Sequence, residues 1–373
     1  MKVCIVSFGK FHSFDLAREL NNFFSVKVFS TYPFFIAKKY SITKKNFKSF
    51  FLLQLIDRAT LRLISDLLKY IYAILLIIII PKNQDIYILW SDIPTFFYKY
   101  LKSKSPNSKI ILERGSSHIE SQYHLLKEEY SLLEQKFKFP KKHIITEVEN
   151  YYSADYISIP SKFVYNSFIK KDISKQKLFL NPYGADLSKF YPKKNIIKKK
   201  FTVMTCGLAS IQKGFHYMLE AHELIEGDFT HIHVGNIDLI FKKDLRKYPN
   251  LKIINSISHD FLIDYYNQAD ILVIPSIQDG FGMVILEAMA CGLPIISTYN
   301  TGFSTIDTEG SKCGYIIDIR SPNQIAEKIN LLKKDINLLN QFSSNSLNII
   351  SKGGYKWSDY GARYSNFLNS IKR

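Results

Sequence analysis

The sequence is poor in cysteine. Its four cysteines are Cys4, Cys206, Cys291 and Cys313, and none lies within four residues of another. That spacing fits neither a zinc cluster nor a redox pair, and a chain of 373 residues does not need disulfides for stability. We therefore predict reduced, buried cysteines. No Asp-x-Asp pair occurs either, so nothing indicates a metal ion that bridges phosphates.

The sequence also has no hydrophobic run long enough to predict a membrane span. The most apolar segment, "YIYAILLIIII" at residues 70–80, has eleven residues and ends at Pro81. A spanning helix needs about 20 apolar residues, so we predict a buried or membrane-surface element. The N-terminal apolar stretch has no small-residue cleavage site, and we expect no signal peptide. We therefore expect a cytoplasmic protein, with any membrane contact at the inner face of the cell membrane.

Acidic residues are scarce in one half of the chain only. Residues 1–200 carry 34 Lys and Arg against 16 Asp and Glu, whereas residues 201–373 carry 16 against 17. A basic half can bind nucleic acid, an anionic membrane or an acidic substrate. A lysine-rich composition that merely covers a solvated surface explains the same numbers, and the sequence leaves both interpretations open.

Residues 38–80 combine the basic and the apolar signals. Five lysines precede an apolar helical stretch: Lys38, Lys39, Lys44, Lys45 and Lys48. Basic residues beside a strongly apolar helix are typical of a helix that lies on a membrane surface. A core helix with a solvated lysine face is the alternative. We treat contact with an anionic membrane through this segment as a hypothesis.

Short apolar strands alternate with helical stretches in both halves of the chain. This alternation predicts βαβ units and parallel sheets, hence an α/β fold with two doubly wound, Rossmann-like domains that face each other across a cleft. A Pro-, Gly- and Lys-rich stretch at residues 181–200 predicts the linker. We place the first domain at residues 1–185 and the second at 186–354, with a final amphipathic helix, 355–373, packing back on the first domain.

One segment carries an unusual combination of acids and glycines. In "PSIQDGFGMVILEAMACGLPII", residues 275–296, Asp279 precedes Gly280 and Gly282, and Glu287 follows in a helical stretch. Glycines at a strand-to-helix turn allow backbone N–H groups to approach a phosphate, and carboxylates accept hydrogen bonds from paired hydroxyls. The arrangement therefore fits a nucleotide sugar. A capped turn with Glu287 on the surface is the alternative interpretation.

This segment and several others resemble the retaining glycosyltransferases of family 4, which have the GT-B fold. The matching segments are "DGFGMVILE", "AMACGLPII", "CGLASIQKGFHYMLEA", "ADYISIPSKFV", "NPYGADLSKFYP" and the glycine loop at Gly9. The resemblance runs nearly end to end, and within the family it is closest to the enzymes of bacterial cell-surface polysaccharides. It implies that the first domain binds the acceptor and the second binds a nucleotide sugar.

The resemblance also implies roles for individual residues. The candidate catalytic residues are His118, Lys213 and Asp279. The candidate donor-binding residues are Gly9, Lys213, Asp279, Gly280, Phe281, Gly282, Met283 and Glu287. In this family, Glu287 would hold the ribose, Lys213 the diphosphate and Asp279 the sugar hydroxyls, while a first-domain histidine contacts the sugar. His118 fits that histidine best, and His12 is a second candidate.

Three departures from the family pattern affect the donor site. Asp279 stands where the family usually has glutamate, which shortens the reach of the carboxylate. Leu208 occupies the usual arginine position beside the lysine, so Lys213 would have less help with the leaving group. Arg114 is a possible substitute. Ile119 follows the candidate histidine where the family often has aspartate.

The resemblance predicts an enzyme that moves a sugar from a nucleotide sugar, UDP-sugar favoured, to a glycan or lipid-linked acceptor. Configuration would be retained, and the products would be cell-surface polysaccharides such as lipopolysaccharide. We expect no cofactor and no metal. A sugar-nucleotide epimerase or hydrolase of the same fold is one alternative. A basic nucleic-acid-binding protein is another, although the sequence has no nucleic-acid-binding motif, so we expect no nucleic-acid partner.

Overall fold

The computed structural model describes residues 1–194, 196, 199–242, 245–307 and 312–371. The first domain is built on a seven-stranded parallel sheet with the strand order β3-β2-β1-β4-β5-β6-β7. Its strands are β1 (Lys2–Ser7), β2 (Ser25–Ser30), β3 (Phe47–Ser49), β4 (Ile86–Trp90), β5 (Lys109–Glu113), β6 (Tyr156–Ile159) and β7 (Leu178–Leu180). Its helices are α1 (Ser13–Leu20), α2 (Phe34–Lys38), α3 (Phe51–Ala59), α4 (Ser65–Ile79), α5 (Thr95–Lys104), α6 (Ile119–Leu132), α7 (Lys141–Ser153) and α8 (Lys162–Ile169).

The second domain repeats this plan with a six-stranded parallel sheet in the order β10-β9-β8-β11-β12-β13. Its strands are β8 (Thr202–Cys206), β9 (Thr230–Val234), β10 (Leu251–Ile254), β11 (Ile271–Ile274), β12 (Ile295–Thr298) and β13 (Gly314–Ile317). The remaining helices are α9 (Phe215–Ala221), α10 (Leu262–Gln268), α11 (Val284–Ala290), α12 (Phe303–Ile306), α13 (Pro322–Lys334), α14 (Ile336–Ser351) and α15 (Trp357–Ile371). The predicted two-domain α/β architecture is confirmed.

The strand order of each sheet reverses at its first strand. In the first domain β1 lies between β2 and β4, and in the second β8 lies between β9 and β11. Ligands of such sheets bind outside the carboxyl ends of the strands at this reversal. The turn after β1 and the loops after β8 and β11 therefore border the expected ligand site.

The final helix, α15, contacts the first domain. Gly361 lies so close to α1 that a Cβ on it would come within 2.2 Å of the Glu19 Cβ, so a larger residue would force the helices apart. The hydroxyls of Tyr360 and Tyr364 donate to the buried Glu113 at the end of β5, at 3.0 and 3.1 Å. Positions 372–373 of the predicted helix, and positions 195, 197 and 198 of the predicted linker, lie outside the described residues.

Helix α4 is apolar on nearly all sides, but only one face is covered. Leu68, Tyr72, Ala73 and Leu76 are buried in the core of the first domain. The uncovered apolar side chains of α3, α4 and the turn between them include Leu52, Leu55, Ile56, Leu61, Leu63, Ile64, Leu67, Ile74 and Ile78. Within the described residues, no helix combines the length and the hydropathy that a membrane crossing requires.

Candidate active site

A cavity of about 1640 Å³ lies between the two domains, at the reversal points of both sheets. The turn after β1 contributes Lys10, Phe11 and His12. The second domain contributes the loops after β8 and β11, together with α11. The two halves of the wall thus come from different domains, so a ligand in the cavity would contact both.

Two of the candidate residues, Lys213 and Asp279, form an ion pair on the cavity wall. They are brought together by Gly214, whose φ is +64° and whose close packing would place a Cβ 2.0 Å from the Pro275 carbonyl oxygen. Only glycine fits that position, because the backbone is left-handed and there is no space for a side chain. The pair thus depends on the contact between the loop before α9 and the loop after β11.

Only part of the glycine-rich turn, residues 280–283, lines the cavity. Phe281, Gly282 and Met283 line the cavity, and Gly282 has a φ of +79°. Gly280 does not line it: a Cβ there would lie 1.6 Å from the Gly115 carbonyl oxygen, and the Gly280 carbonyl accepts a hydrogen bond from Ser161 at 2.7 Å. Gly280 therefore marks the place where the backbones of the two domains meet, rather than a direct donor contact.

Glu287 lines the cavity as a nearly buried carboxylate. Its Oε1 is 2.8 Å from Nε2 of His259, and its Oε2 accepts a hydrogen bond from the Tyr266 hydroxyl at 2.9 Å. The hydrogen bond to Glu287 raises the pKa of His259 above its ordinary value. A buried carboxylate with two donors is held in a fixed orientation, and the half-exposed His259 is the donor that a ligand could displace.

The first-domain histidine on the cavity wall is His12, not His118. His12 Nε2 lies 3.1 Å from the Glu113 carboxylate, and its ring packs against Trp90 and Tyr183 at 5.0 and 4.2 Å between centroids. Since Glu113 also accepts from the two tyrosines of α15, the last helix helps to fix this ring.

His118 is absent from the cavity wall because it caps helix α6. Its Nδ1 accepts from the Glu120 N–H at 3.3 Å, and its ring packs against Tyr151 and Phe168. Burial lowers the pKa of His118 to about 4. This placement disagrees with the expected sugar contact of His118.

Gly9 also lies outside the cavity wall, but it shapes the turn that reaches the wall. Its φ is +123°, and its carbonyl accepts hydrogen bonds from Ser7 and Ser30 at 2.9 and 2.8 Å. This bonding holds the turn that carries His12 into the cavity. The contribution of Gly9 is therefore to the backbone rather than to ligand contact.

Leu208, at the position where the family usually has arginine, leaves this part of the site without a second cation. Leu208 lines the cavity and is about half exposed, whereas Arg114 is buried outside it. Arg114 is 3.3 Å from Glu147 and donates to the Ser117 carbonyl, so its guanidinium is already used in the first domain. Lys213 is thus the cation that stands next to the glycine-rich turn.

Three residues of the cavity wall have a buried polar atom without a hydrogen-bond partner among the described residues. These atoms are the hydroxyl oxygens of Tyr183 and Ser276 and Nε2 of His233. Buried polar groups are nearly always paired in folded proteins, so unpaired ones on a cavity wall indicate a polar ligand. No sequence pattern marks either hydroxyl as functional: Tyr183 lies in the predicted linker and Ser276 at the end of a predicted strand.

One cluster of the described residues has the composition of a metal site, and it lies outside the cavity. It consists of Asp92, His143 and Glu147. Lys69 is 3.0 Å from Asp92, and Arg114 is 3.3 Å from Glu147, so two protein cations already pair with its carboxylates.

The family comparison concerns the second domain. Residues 188–348 match the model described as glycosyl transferases group 1. This match covers nearly all of the second domain. The capsular polysaccharide biosynthesis glycosyltransferase CapM of Staphylococcus aureus is 24% identical over 258 residues, which cover 62% of this chain and 67% of CapM. A D-inositol 3-phosphate glycosyltransferase of Corynebacterium jeikeium is 39% identical over 77 residues, 21% of this chain and 18% of that protein. The match to this second relative therefore spans far less than two thirds of its length.

Solved structures of GT-B glycosyltransferases resemble the whole chain. Anabaena Alr3699/HepE in complex with UDP superposes with a TM-score of 0.73 at 16% identity, covering 99% of this chain and 100% of that one. The lipopolysaccharide outer core galactosyltransferase WaaB in its apo form superposes with a TM-score of 0.68 at 15% identity, covering 100% of both chains. The predicted GT-B fold is confirmed, with the cavity in the cleft between its domains.

Proposed function

We propose that the protein is a retaining glycosyltransferase of family 4 that transfers a sugar from a UDP-sugar to a glycan or lipid-linked acceptor in cell-surface polysaccharide synthesis. The observation that carries this proposal is the joint position of the Lys213–Asp279 pair and the buried Glu287 on one cavity wall. UDP is favoured because it occupies the similar HepE structure. The polysaccharide role is supported by the names of CapM and WaaB.

In this proposal the donor lies along the cavity wall, with its nucleoside at Glu287 and its sugar at Asp279. Glu287 would accept hydrogen bonds from the ribose hydroxyls, since a carboxylate has acceptor capacity for both. Lys213 and the backbone from Phe281 to Met283 would contact the diphosphate. Asp279 would hold sugar hydroxyls, and His12 replaces His118 as the first-domain histidine on the sugar side.

The reaction breaks the bond between the anomeric carbon and the β-phosphate oxygen. The acceptor hydroxyl oxygen forms its bond to that carbon on the same face, and its proton passes to the departing phosphate oxygen. Neither Asp279 nor Glu287 is assigned as a nucleophile, because Asp279 is paired with Lys213 and Glu287 is held by Tyr266. Catalysis then rests on Lys213 and backbone dipoles that stabilise the charge growing on the diphosphate.

Donor binding should occur without a metal. We expect one of UDP-glucose, UDP-galactose and UDP-N-acetylglucosamine to raise the unfolding temperature in excess chelator as much as in magnesium, because the site offers a lysine and no paired aspartates. A ligand at 100 times its dissociation constant adds about 2.7 kcal/mol to the free energy of unfolding. Differential scanning fluorimetry measures the shift. Protection that disappears in chelator and returns with magnesium or manganese contradicts the metal-free site.

The alternative functions predict different experimental results. An epimerase or hydrolase would convert the UDP-sugar without any acceptor, whereas a transferase makes glycoside only when one is present. A nucleic-acid-binding protein would bind single-stranded RNA with an affinity that falls steeply with salt. Nucleotide held by Glu287 depends less on salt, since hydrogen bonds to a buried carboxylate contribute much of its binding.

The uncovered apolar surface of α3 and α4 favours a lipid-linked acceptor. Leu61 and Leu63 are 83% and 85% exposed on either side of the exposed Arg62 at the turn between the helices. Tyr70 belongs to α4, and the ammonium of Lys142, on α7, lies 5.0 Å from the centre of its ring. Apolar side chains beside cations match an anionic membrane surface, and we propose that this surface rests on the inner face of the cell membrane.

The membrane proposal predicts binding that depends on lipid charge. The protein should sediment with phosphatidylglycerol-containing vesicles and weakly with pure phosphatidylcholine, since each lysine near an anionic surface contributes about 1 kcal/mol. Gln at the exposed Lys38, Lys44, Lys45 and Lys48 should remove the difference, while Lys39 is kept because it lines the cavity. Serine at Leu61 and Leu63 should weaken binding to both vesicles.

Leu239→Ser is the matched control for the leucine variants, because Leu239 is 79% exposed in the second domain. It should leave vesicle binding unchanged. Wild-type protein that ignores vesicle charge, or that forms a dimer whose association is abolished by the Leu61 and Leu63 changes, refutes the membrane contact and identifies a second copy as the partner of this surface.

A further inference from the structure

The hydroxyl of Tyr183 is a buried donor without an acceptor on the cavity wall. Tyr183 follows β7 on the segment that connects the two domains, and only 8% of the residue is exposed. Among the described residues, no atom lies within hydrogen-bonding geometry of its hydroxyl oxygen. Since an unpaired buried hydroxyl destabilises the free protein, a position that keeps one on a cavity wall points to a ligand that pairs with it.

The ring of Tyr183 is held firmly by its neighbours. The ring centroids of His12, Phe281 and Tyr360 lie 4.2, 5.6 and 5.9 Å from its own. A Cβ on Gly115 would lie 2.7 Å from the hydroxyl oxygen, so this glycine leaves the space that the hydroxyl occupies. The hydroxyl is therefore fixed in place rather than free to swing toward another acceptor.

The surroundings of Tyr183 keep it in its neutral, donating form. Burial raises the pKa of Tyr183 well above its ordinary value, and the charges of Glu113 and Asp279 raise it further, while Arg114 lowers it. A neutral phenol donates one hydrogen bond. The Tyr183 ring also packs against Phe281, which follows Asp279 by two residues in the glycine-rich turn, so Tyr183 borders the same part of the cavity as Asp279.

We propose that Tyr183 donates a hydrogen bond to a hydroxyl oxygen of the transferred sugar, as a positioning residue that the sequence resemblance did not identify. The inference rests on the proposed function, because it takes Asp279 to mark the sugar side of the cavity. Tyr183 then recognises the sugar of the donor and makes no contact with the nucleotide. It fixes the sugar relative to His12 and Phe281, on which its own ring packs.

The test is Tyr183→Phe, which removes the hydroxyl and keeps the ring. In isothermal titration, the dissociation constant of the best binder among UDP-glucose, UDP-galactose and UDP-N-acetylglucosamine should rise about tenfold, equivalent to about 1.4 kcal/mol. The dissociation constant of UDP, which has no sugar, should not change. The unfolding temperature of the free variant should equal or exceed that of the wild type, because the removed hydroxyl had no partner.

Tyr98→Phe is the matched control. The Tyr98 hydroxyl is also buried and unpaired among the described residues, but Tyr98 does not line the cavity. This variant should likewise retain its unfolding temperature and should bind both UDP and the UDP-sugar like the wild type. A rise in the UDP-sugar constant in both variants would mean that the effect of Tyr183→Phe is not local, and it would overturn the inference.

The possible failures are distinguishable. If the wild type binds the UDP-sugar and Tyr183→Phe leaves the ratio of UDP-sugar to UDP affinity unchanged, the hydroxyl pairs with water or nothing, and the inference fails while the proposed function stands. If Tyr183→Phe weakens UDP as strongly as UDP-sugar, Tyr183 serves the nucleotide and the sugar contact is refuted. If the wild type binds neither ligand, both proposals fail together.

Discussion

Lys213→Ala should reduce the turnover number about 10²–10³-fold, because the loss of one preorganised group that stabilises developing negative charge has an effect of this size. The Michaelis constant for the donor should rise less. The reason lies in the ion pair: Lys213 contacts Asp279 in the free protein, and its charge is needed most when the diphosphate leaves. Leu208, in the usual arginine position, provides no second cation.

Lys102→Ala is the control for loss of a lysine from an ion pair. Lys102 Nζ lies 2.5 Å from Asp155 Oδ1, outside the cavity, so the change removes a comparable pair without touching the proposed diphosphate site. Its turnover should match that of the wild type. Steady-state kinetics with the donor identified by thermal shift separates the two constants, and an effect of Lys213→Ala confined to the Michaelis constant would refute the leaving-group role.

The second-domain site could be predicted because most of its residues are close in sequence. Asp279, Gly282 and Glu287 all belong to the β11–α11 unit, and local rules for strands, glycine turns and helices place them at one edge of the sheet. Lys213 is 66 residues away from Asp279. Only the resemblance linked these two, and the structural reason for their contact is the close packing of Gly214 on the backbone after β11.

The histidine assignment shows where sequence reasoning stops. Both His12 and His118 follow a first-domain strand, and nothing local separates a cavity histidine from a helix-capping one. The difference lies in residues far along the chain: Tyr151 and Phe168 bury His118, whereas Glu113 and α15 orient His12. Contacts of this kind arise from tertiary packing, which one sequence does not specify by pattern.

Tyr183 and the α4 helix illustrate two further limits. A tyrosine between proline and glycine reads as linker, and only the three-dimensional structure brings its hydroxyl to the cavity wall. The apolar run at residues 70–80 predicted either a core or a membrane-surface element, and the helix has both a buried and an uncovered face. Composition determines that such a helix is apolar, whereas the neighbouring elements determine which face stays uncovered.

Among the replacements proposed for this site, that of Glu287 should weaken nucleotide binding the most. Each hydrogen bond to a charged group contributes about 1.5–3 kcal/mol, so the loss of a carboxylate that holds the ribose should raise the dissociation constant of UDP at least about tenfold. Glu287→Ala also leaves the buried Tyr266 hydroxyl without its acceptor. Glu287→Gln keeps the shape and one acceptor oxygen, and it therefore serves where the alanine variant is poorly folded.

Glu129→Gln provides the matched control for a buried glutamate. Glu129 is fully buried outside the cavity, and it too is held by a histidine and a second donor, His216 at 2.8 Å and Arg320 at 2.6 Å. Both Gln variants should lower the unfolding temperature, since each weakens a charge-assisted network. Titration with UDP should separate them, because only Glu287 faces the ligand. Equal UDP affinity in a folded Glu287→Gln variant and the wild type would refute the ribose assignment, and the carboxylate would then serve only to join α11 to Tyr266.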